Sequence, residues 1–180
     1  MIYVFLANGF EETEAIAPID LLRRAGKKVV IIGVGDNIIV GSHGISVVAD
    51  TIAQEAPLTD ELEMIVLPGG MPGTLNLEKS KYVQAAIDYC VEKNKYIGAI
   101  CAAPSILGHK GLLNGKVAVC YDGFETQLEG AKIGSGGVAE DGIFITVRGA
   151  GVAVDFGLKL VEKVHSIEES RRQRNAILCN

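Results

Sequence analysis

The chain has 180 residues, 48% of them hydrophobic, with 22 glycines and no tryptophan. That length suits one domain, 1–180, with a real core, and the composition reads as a compact α/β protein with many tight turns. A formal net charge of −5 argues against general nucleic-acid binding, which needs a basic surface, and no apolar run is long enough to span a membrane.

The first residues, Met-Ile-Tyr-Val-Phe-Leu-Ala, lack a basic segment followed by a long apolar core. They read as a strand and not a signal peptide. Ile2 to Ala7 is unbroken apolar sequence, as in a strand covered on both faces. Asn8 to Glu14 follows as a loop and helix start, with Ile16, Ile19 and Leu22 as the inner helical face. Pro18 fits this helix only near its first turn. Gly26 suits the position just past its end.

Val29 to Val34 is a second buried strand. Asn37 to Asp50 alternates and contains Gly41 and Gly44, which predicts a small antiparallel hairpin. Met64 to Leu67 is a third central strand, ending at Pro68-Gly69-Gly70. Val83, Ile87 and Cys90 or Val91 mark the next helix. Tyr96 to Ile100 is another buried strand. Lys116 to Cys120 and Ile143 to Val147 read as later strands, the second after the turn signal Asp141-Gly142. Val152 to Val164 reads as a last amphipathic helix, and Ser166 to Asn180 as a polar tail. Strands alternating with helices imply a mostly parallel sheet with helices on both faces, and ligands bind such sheets at the carboxyl ends of the strands.

Cys101 stands where the strand ending at Ile100 meets Ala102, Ala103 and Pro104. Small residues and a helix-starting proline permit a sharp strand-to-helix turn with a nucleophile at its corner. A thiol at a helix start has its thiolate favoured by backbone N–H groups and the helix dipole. The simpler alternative is a small buried core cysteine. Glu11, Glu12 and Glu14 lie where the first strand gives way to the first helix. Capping accounts for one or two of them. One that points into an apolar pocket would be held neutral, and could hydrogen-bond the Cys101 thiolate and shuttle protons. Gly69 and Gly70 let the backbone approach a ligand closely, and their N–H groups could form an oxyanion site with that of Ala102. Neither a Walker A loop nor a Rossmann G-x-G-x-x-G is present, so nucleotide binding is not expected.

The remaining candidates carry less chemistry. His43, His109 and His165 have no obvious relation to Cys101 and read as surface or packing residues. Cys120 and Tyr121 leave another strand end and either line the same pocket or have no role. Cys90 reads as core and Cys179 as an exposed tail thiol. Four cysteines without a C-x-x-C pair or zinc spacing predict free thiols, no metal, and a reducing cytoplasm as the compartment.

Four segments together resemble the ThiJ/PfpI family, which includes the parkinsonism-associated deglycase and its bacterial relatives. They are Gly9 to Glu14, Leu67 to Gly70, Ala99 to Pro104 and Thr146 to Gly151; Arg23 to Gly26 also fits. The resemblance implies a flavodoxin-like three-layer sandwich, usually a homodimer. It implies that Cys101 is the nucleophile, that Glu14 is its protonated partner, and that the N–H groups of Gly70 and Ala102 form the oxyanion site. Gly69, Cys120, Tyr121 and Arg24 are the further pocket candidates.

The implied activities need no cofactor: conversion of small dicarbonyls such as methylglyoxal to hydroxy acids, or removal of their adducts from protein side chains. The alternative is a redox sensor or chaperone switched by oxidation of Cys101. The deglycase subgroup often has a pocket histidine on the strand end after the elbow, which here carries Cys120 and Tyr121. Ala102 stands where the protease-like branch has one. No His-x-Glu segment completes an amidotransferase triad.

Overall fold

A computed structural model of the chain describes residues 1–179. The first half runs through β1 (Ile2–Ala7), α1 (Glu12–Arg24), β2 (Val29–Val34), β3 (Ile38–Val40), β4 (Ser46–Val48), β5 (Thr51–Ile52), β6 (Met64–Leu67), α2 (Gly73–Lys79) and α3 (Lys81–Glu92). Next come β7 (Tyr96–Ile100), α4 (Pro104–His109), β8 (Val117–Ala118), β9 (Lys132–Ile133), β10 (Val138–Asp141), β11 (Phe144–Val147), α5 (Ala153–Val164) and α6 (Ile167–Ala176).

A seven-stranded sheet has the order β10-β11-β7-β6-β1-β2-β5. Its pairings are parallel except for β10 with β11. β3 and β4 form the expected hairpin, with Ile39 opposite Val47. Side chains alternate across β1: Ile2, Val4 and Leu6 join a core with Ile19, Phe156 and Leu160, while Tyr3, Phe5 and Ala7 join one with Leu77, Ile87 and Ile106. Thus α1 and α5 cover one face and α2, α3 and α4 the other, giving a three-layer, flavodoxin-like α/β fold. This explains why the central strands are apolar at every position.

Several expectations change. Pro18 lies in mid-helix, not in the first turn of α1. Without an N–H it leaves the Glu14 carbonyl without its helical partner. That turn packs tightly on α5 instead: a Cβ added at Gly157 would come within 3.0 Å of Pro18 Cα and 2.6 Å of Leu21 Cδ1. Ile16 is 42% exposed, and Ala15, Pro18, Ile19 and Leu22 form the inner face. On α3 it is Cys90, not Val91, that is buried.

The stretch Lys116 to Cys120 contributes only β8, paired with β9 outside the main sheet. The polar tail is helical through Ala176, and Asn180 lies outside the described residues. Ser166 caps α6 by accepting from the Glu169 N–H, the Ser-x-x-Glu spacing of a capping box. Cys179 is half-buried and accepts a hydrogen bond from Arg174, 3.3 Å away. Among the described residues no helix is long and apolar enough to cross a membrane.

Candidate active site

The carboxyl ends of the neighbouring parallel strands β1, β6, β7 and β11 bring four loops together. They carry Glu11–Glu14, Pro68–Gly70, Cys101–Ala103 and Arg148–Gly151. Cys101 sits at the corner between β7 and α4 with φ of 65°, left-handed backbone that costs a side-chain-bearing residue roughly 1–2 kcal/mol. Both backbone groups of Cys101 hold it there. Its N–H donates to the Val147 carbonyl at 2.8 Å, and its carbonyl accepts from the Tyr121 N–H at 2.8 Å. The corner therefore stays strained because flanking strand ends fix it on both sides.

Glu14 reaches this corner from the first turn of α1 and is 1% exposed. Its carboxyl accepts from the backbone N–H of Gly69 and faces the Cys101 thiol and the Ala150 N–H, both of which act to lower its pKa. The Gly69 bond is 3.0 Å. Gly69 must lack a side chain: an added Cβ would lie 2.6 Å from both Cys101 Cβ and Glu14 Oε2. The N–H groups of Gly70 and Ala102 lie near Cys101 Sγ and act to lower its pKa. Gly70 has φ of 89°, left-handed backbone available to it without a Cβ penalty.

The electrostatics differ from the expected low-pKa thiol. Burial pushes the Cys101 thiol up to about 12, helped by the charge and hydrogen bond of Glu14 and opposed by the Ala102 and Gly70 N–H groups. Burial likewise raises Glu14 to about 7, with the Glu11 charge adding to it, while Cys101, Gly69 and Ala150 work against it. The helix after the elbow, α4, is only six residues long, so its dipole does not outweigh desolvation. The pair thus favours a single proton-deficient site. When Glu14 is protonated, two of the three influences that hold the thiol up are removed, and the carboxyl can donate to sulfur.

The other glutamates are structural. Glu11 is the N-cap of α1, accepting from the Glu14 N–H at 2.7 Å. Glu12 is buried, and burial alone would raise it, but hydrogen bonds from the His43 ring, the His43 N–H and the Ile45 N–H hold it at about 2. The His43 Nδ1 to Glu12 distance is 2.8 Å. Glu11, Glu12 and His43 bring ligand atoms within 4.8 Å of one another, but Glu11 is used in capping α1 and Glu12 in tying the β3–β4 hairpin to α1. His109 pairs with Glu78 at 2.6 Å, and His165 ends α5.

Arg24 is not in the pocket. It lies at the far end of α1 from Glu14, about half exposed, and pairs with Asp20 at 2.6 Å. Cys120 faces the core on the α3–α4 side of the sheet, whereas Cys101 packs against the α1–α5 side. Burial raises the Cys120 thiol to about 11, with Glu125 and Asp122 adding to it. Tyr121 is 54% exposed and lines a cavity of about 410 Å³ with Arg148, Gly149, Ala150 and Val152.

Two contributors were not singled out from sequence: the Ala150 N–H on Glu14, and Arg148, whose guanidinium pairs with Asp122. The only signal for either was their place in the Thr146–Gly151 segment.

The DJ-1/PfpI family model matches residues 1–163. The chain is 35% identical over 179 residues to the Drosophila melanogaster protein dj-1beta, covering 97% of this chain and 95% of that one. It is 36% identical over 179 residues to protein DJ-1 homolog B of Arabidopsis thaliana, covering 98% of this chain but only 41% of that protein. It is 31% identical over 173 residues to a Schizosaccharomyces pombe protein named glutathione-independent glyoxalase DJ-1, covering 91% of this chain and 90% of that one. The solved structure of Drosophila DJ-1beta superposes with a TM-score of 0.93 at 32% identity, covering 99% of this chain and 97% of that one.

Proposed function

The chain belongs to the DJ-1/PfpI family, and on that premise we propose that it is a cysteine-dependent enzyme acting on reactive dicarbonyls or their adducts. The observation that carries this reading is the close placement of the strained Cys101 and buried Glu14, with a Cβ added at Gly69 falling 2.6 Å from both Cys101 Cβ and Glu14 Oε2. A similar S. pombe protein is named a glutathione-independent glyoxalase, which supports the same chemistry.

In the proposed reaction Cys101 sulfur bonds to the aldehyde carbon of methylglyoxal. The carbonyl π bond opens and its oxygen takes the thiol proton, giving a hemithioacetal. The Gly70 and Ala102 N–H groups stabilise the oxygen as charge develops on it. Glu14 removes the proton from the sulfur-bearing carbon and returns it to the neighbouring carbonyl carbon, while the hydroxyl proton of the hemithioacetal passes to the ketone oxygen. The first carbon is oxidised to a thioester while the second is reduced to an alcohol. Water then cleaves the C–S bond, releasing lactate and the thiol.

Lactate formation from methylglyoxal by the purified protein tests this directly. Wild type is expected to turn over, and Cys101→Ser to lose at least about a thousandfold in kcat/KM, as when a nucleophile is removed. Full activity in Cys101→Ser sinks the mechanism.

A redox role is the second reading. It is favoured by the partial exposure of Cys101 beside donors suited to an oxidised, anionic sulfur. Intact mass after peroxide distinguishes it: two added oxygens on Cys101 with no turnover in the untreated protein would replace the enzyme reading. The homodimer implied by the resemblance fits the exposure of Ile16, Ile38, Ile45 and Val48 at 42%, 54%, 59% and 67%. A second copy would cover them, and a monomeric mass by light scattering would rule it out.

A further inference from the structure

The cavity walled by Tyr121, Gly149 and Ala150 is larger than a three-carbon dicarbonyl needs. Its volume, about 410 Å³, falls in the range of roughly 300–1,000 Å³ typical of sites for drug-sized ligands. Cys101 and Glu14 do not line it, but its wall adjoins both: the Tyr121 N–H donates to the Cys101 carbonyl at 2.8 Å, and a Cβ at Gly149 would lie 3.9 Å from Glu14 Oε1.

Tyr121 forms another part of the wall, and its backbone is fixed by its bond to the Cys101 carbonyl. Its ring packs against the side-chain-free backbone of Gly149, where an added Cβ would lie 3.4 Å from Tyr121 Cδ2. The same ring is 54% exposed, an unusually open position for a large flat side chain braced from behind. Val152 and Ala150 add apolar surface. The charged pair in the wall, Arg148 with Asp122, is mutually neutralised, so the cavity offers no unopposed charge to an anionic substrate. A flat apolar platform with its polar groups paired suits an aromatic body better than a small hydrated one.

We propose that the cavity seats an aromatic substituent on Tyr121, so that the preferred substrate class is aryl-substituted 2-oxoaldehydes. This rests on the dicarbonyl reading above. For phenylglyoxal the step is the one already described: the aldehyde carbon is oxidised to a thioester, the adjacent ketone carbon is reduced, and water releases mandelate. No outside oxidant or reductant is consumed.

The test compares initial rates with phenylglyoxal and methylglyoxal, taken before arginine modification sets in, for wild type, Tyr121→Phe and Tyr121→Ala. In parallel, mandelate and lactate are titrated onto Cys101→Ala, with and without Tyr121→Ala, and followed by NMR. Wild type is expected to favour phenylglyoxal by about tenfold in kcat/KM, a size typical of filling an apolar pocket. Tyr121→Phe keeps that ratio and Tyr121→Ala loses it.

A wild-type ratio that does not exceed one, or one that Tyr121→Ala leaves unchanged, overturns the proposal while the dicarbonyl chemistry stands. If neither dicarbonyl is turned over, the chemistry has failed and binding decides the occupant. Tighter binding of mandelate than lactate that depends on Tyr121 upholds an aromatic occupant; equal binding overturns it.

Discussion

Glu12 and Glu14 stand two residues apart in the same helical turn, and both are buried, at 7% and 1% exposure. Burial works upward on each, yet Glu12 is held at about 2 and Glu14 rises to about 7. The difference lies in what faces them. Glu12 meets a ring nitrogen and the N–H groups of an exposed hairpin, all of which favour a carboxylate. Glu14 meets two N–H groups and a thiol, which also pull it down, but its burial and the charge of Glu11 outweigh them. A carboxyl's state is set by the balance of desolvation against its donors and neighbouring charges. One carboxyl becomes a strut and the other a proton carrier.

The largest effect expected from this contrast is on stability against pH. A buried acid with a raised pKa makes the folded state bind more protons than the unfolded one. Its stabilising contribution is present below the ordinary value of 4.5 and is lost as pH rises through about 7. Wild type should therefore lose on the order of 3 kcal/mol across that window, a slope that Glu14→Gln removes. Denaturant melts from pH 4 to pH 8 measure it, and an equal slope in both proteins would show that Glu14 does not carry a raised pKa.

Next in size is turnover. Glu14→Gln retains a hydrogen-bonding side chain but cannot carry the proton, so kcat should fall by about a hundredfold. Unchanged kcat would make Glu14 a second strut.

Glu12→Ala should act on the fold instead. It strands the donors of His43 and Ile45 and removes an acid from a helix N-terminus, costing roughly 1–2 kcal/mol. Proteolysis between Ser42 and Ile45 should quicken in that variant; unaltered cleavage would mean that Glu12 does not anchor the hairpin.

Smallest is Arg24→Ala. Its exposed pair with Asp20 is worth at most about 0.5 kcal/mol, and turnover should not change. A marked loss of turnover would return Arg24 to the site.

Much of the frame was legible because its physical signals are local. β1, β2, β6 and β7 are apolar throughout, since helices cover both faces of the sheet. The elbow announced itself through small residues around Cys101 and a proline three positions later. Other elements were hidden by weak or conflicting signals. Residues 167–176 are almost wholly polar, so hydropathy says tail, although Ser166 and Glu169 spell a capping box. Pro18 argues against a helix interior on local grounds, and only the close packing of α1 on Gly157 of α5 makes it acceptable. Ile16 follows the apolar period and is nevertheless exposed, because the period cannot say how wide the covered stripe is.

The sequence by itself determined the alternating α/β order, the loops that meet at one sheet edge, and the candidates Cys101, Gly69, Gly70, Ala102 and the three glutamates Glu11, Glu12 and Glu14. Those follow from hydrophobic period, turn chemistry and short motifs, which are properties of neighbouring residues. Only the tertiary structure decided which glutamate faces the thiol, that burial raises the thiol instead of lowering it, and that Cys120 and Arg24 lie elsewhere. Charge state depends on desolvation and on donors such as Ala150 N–H and His43, which are distant along the chain and adjacent only once the sheet has formed.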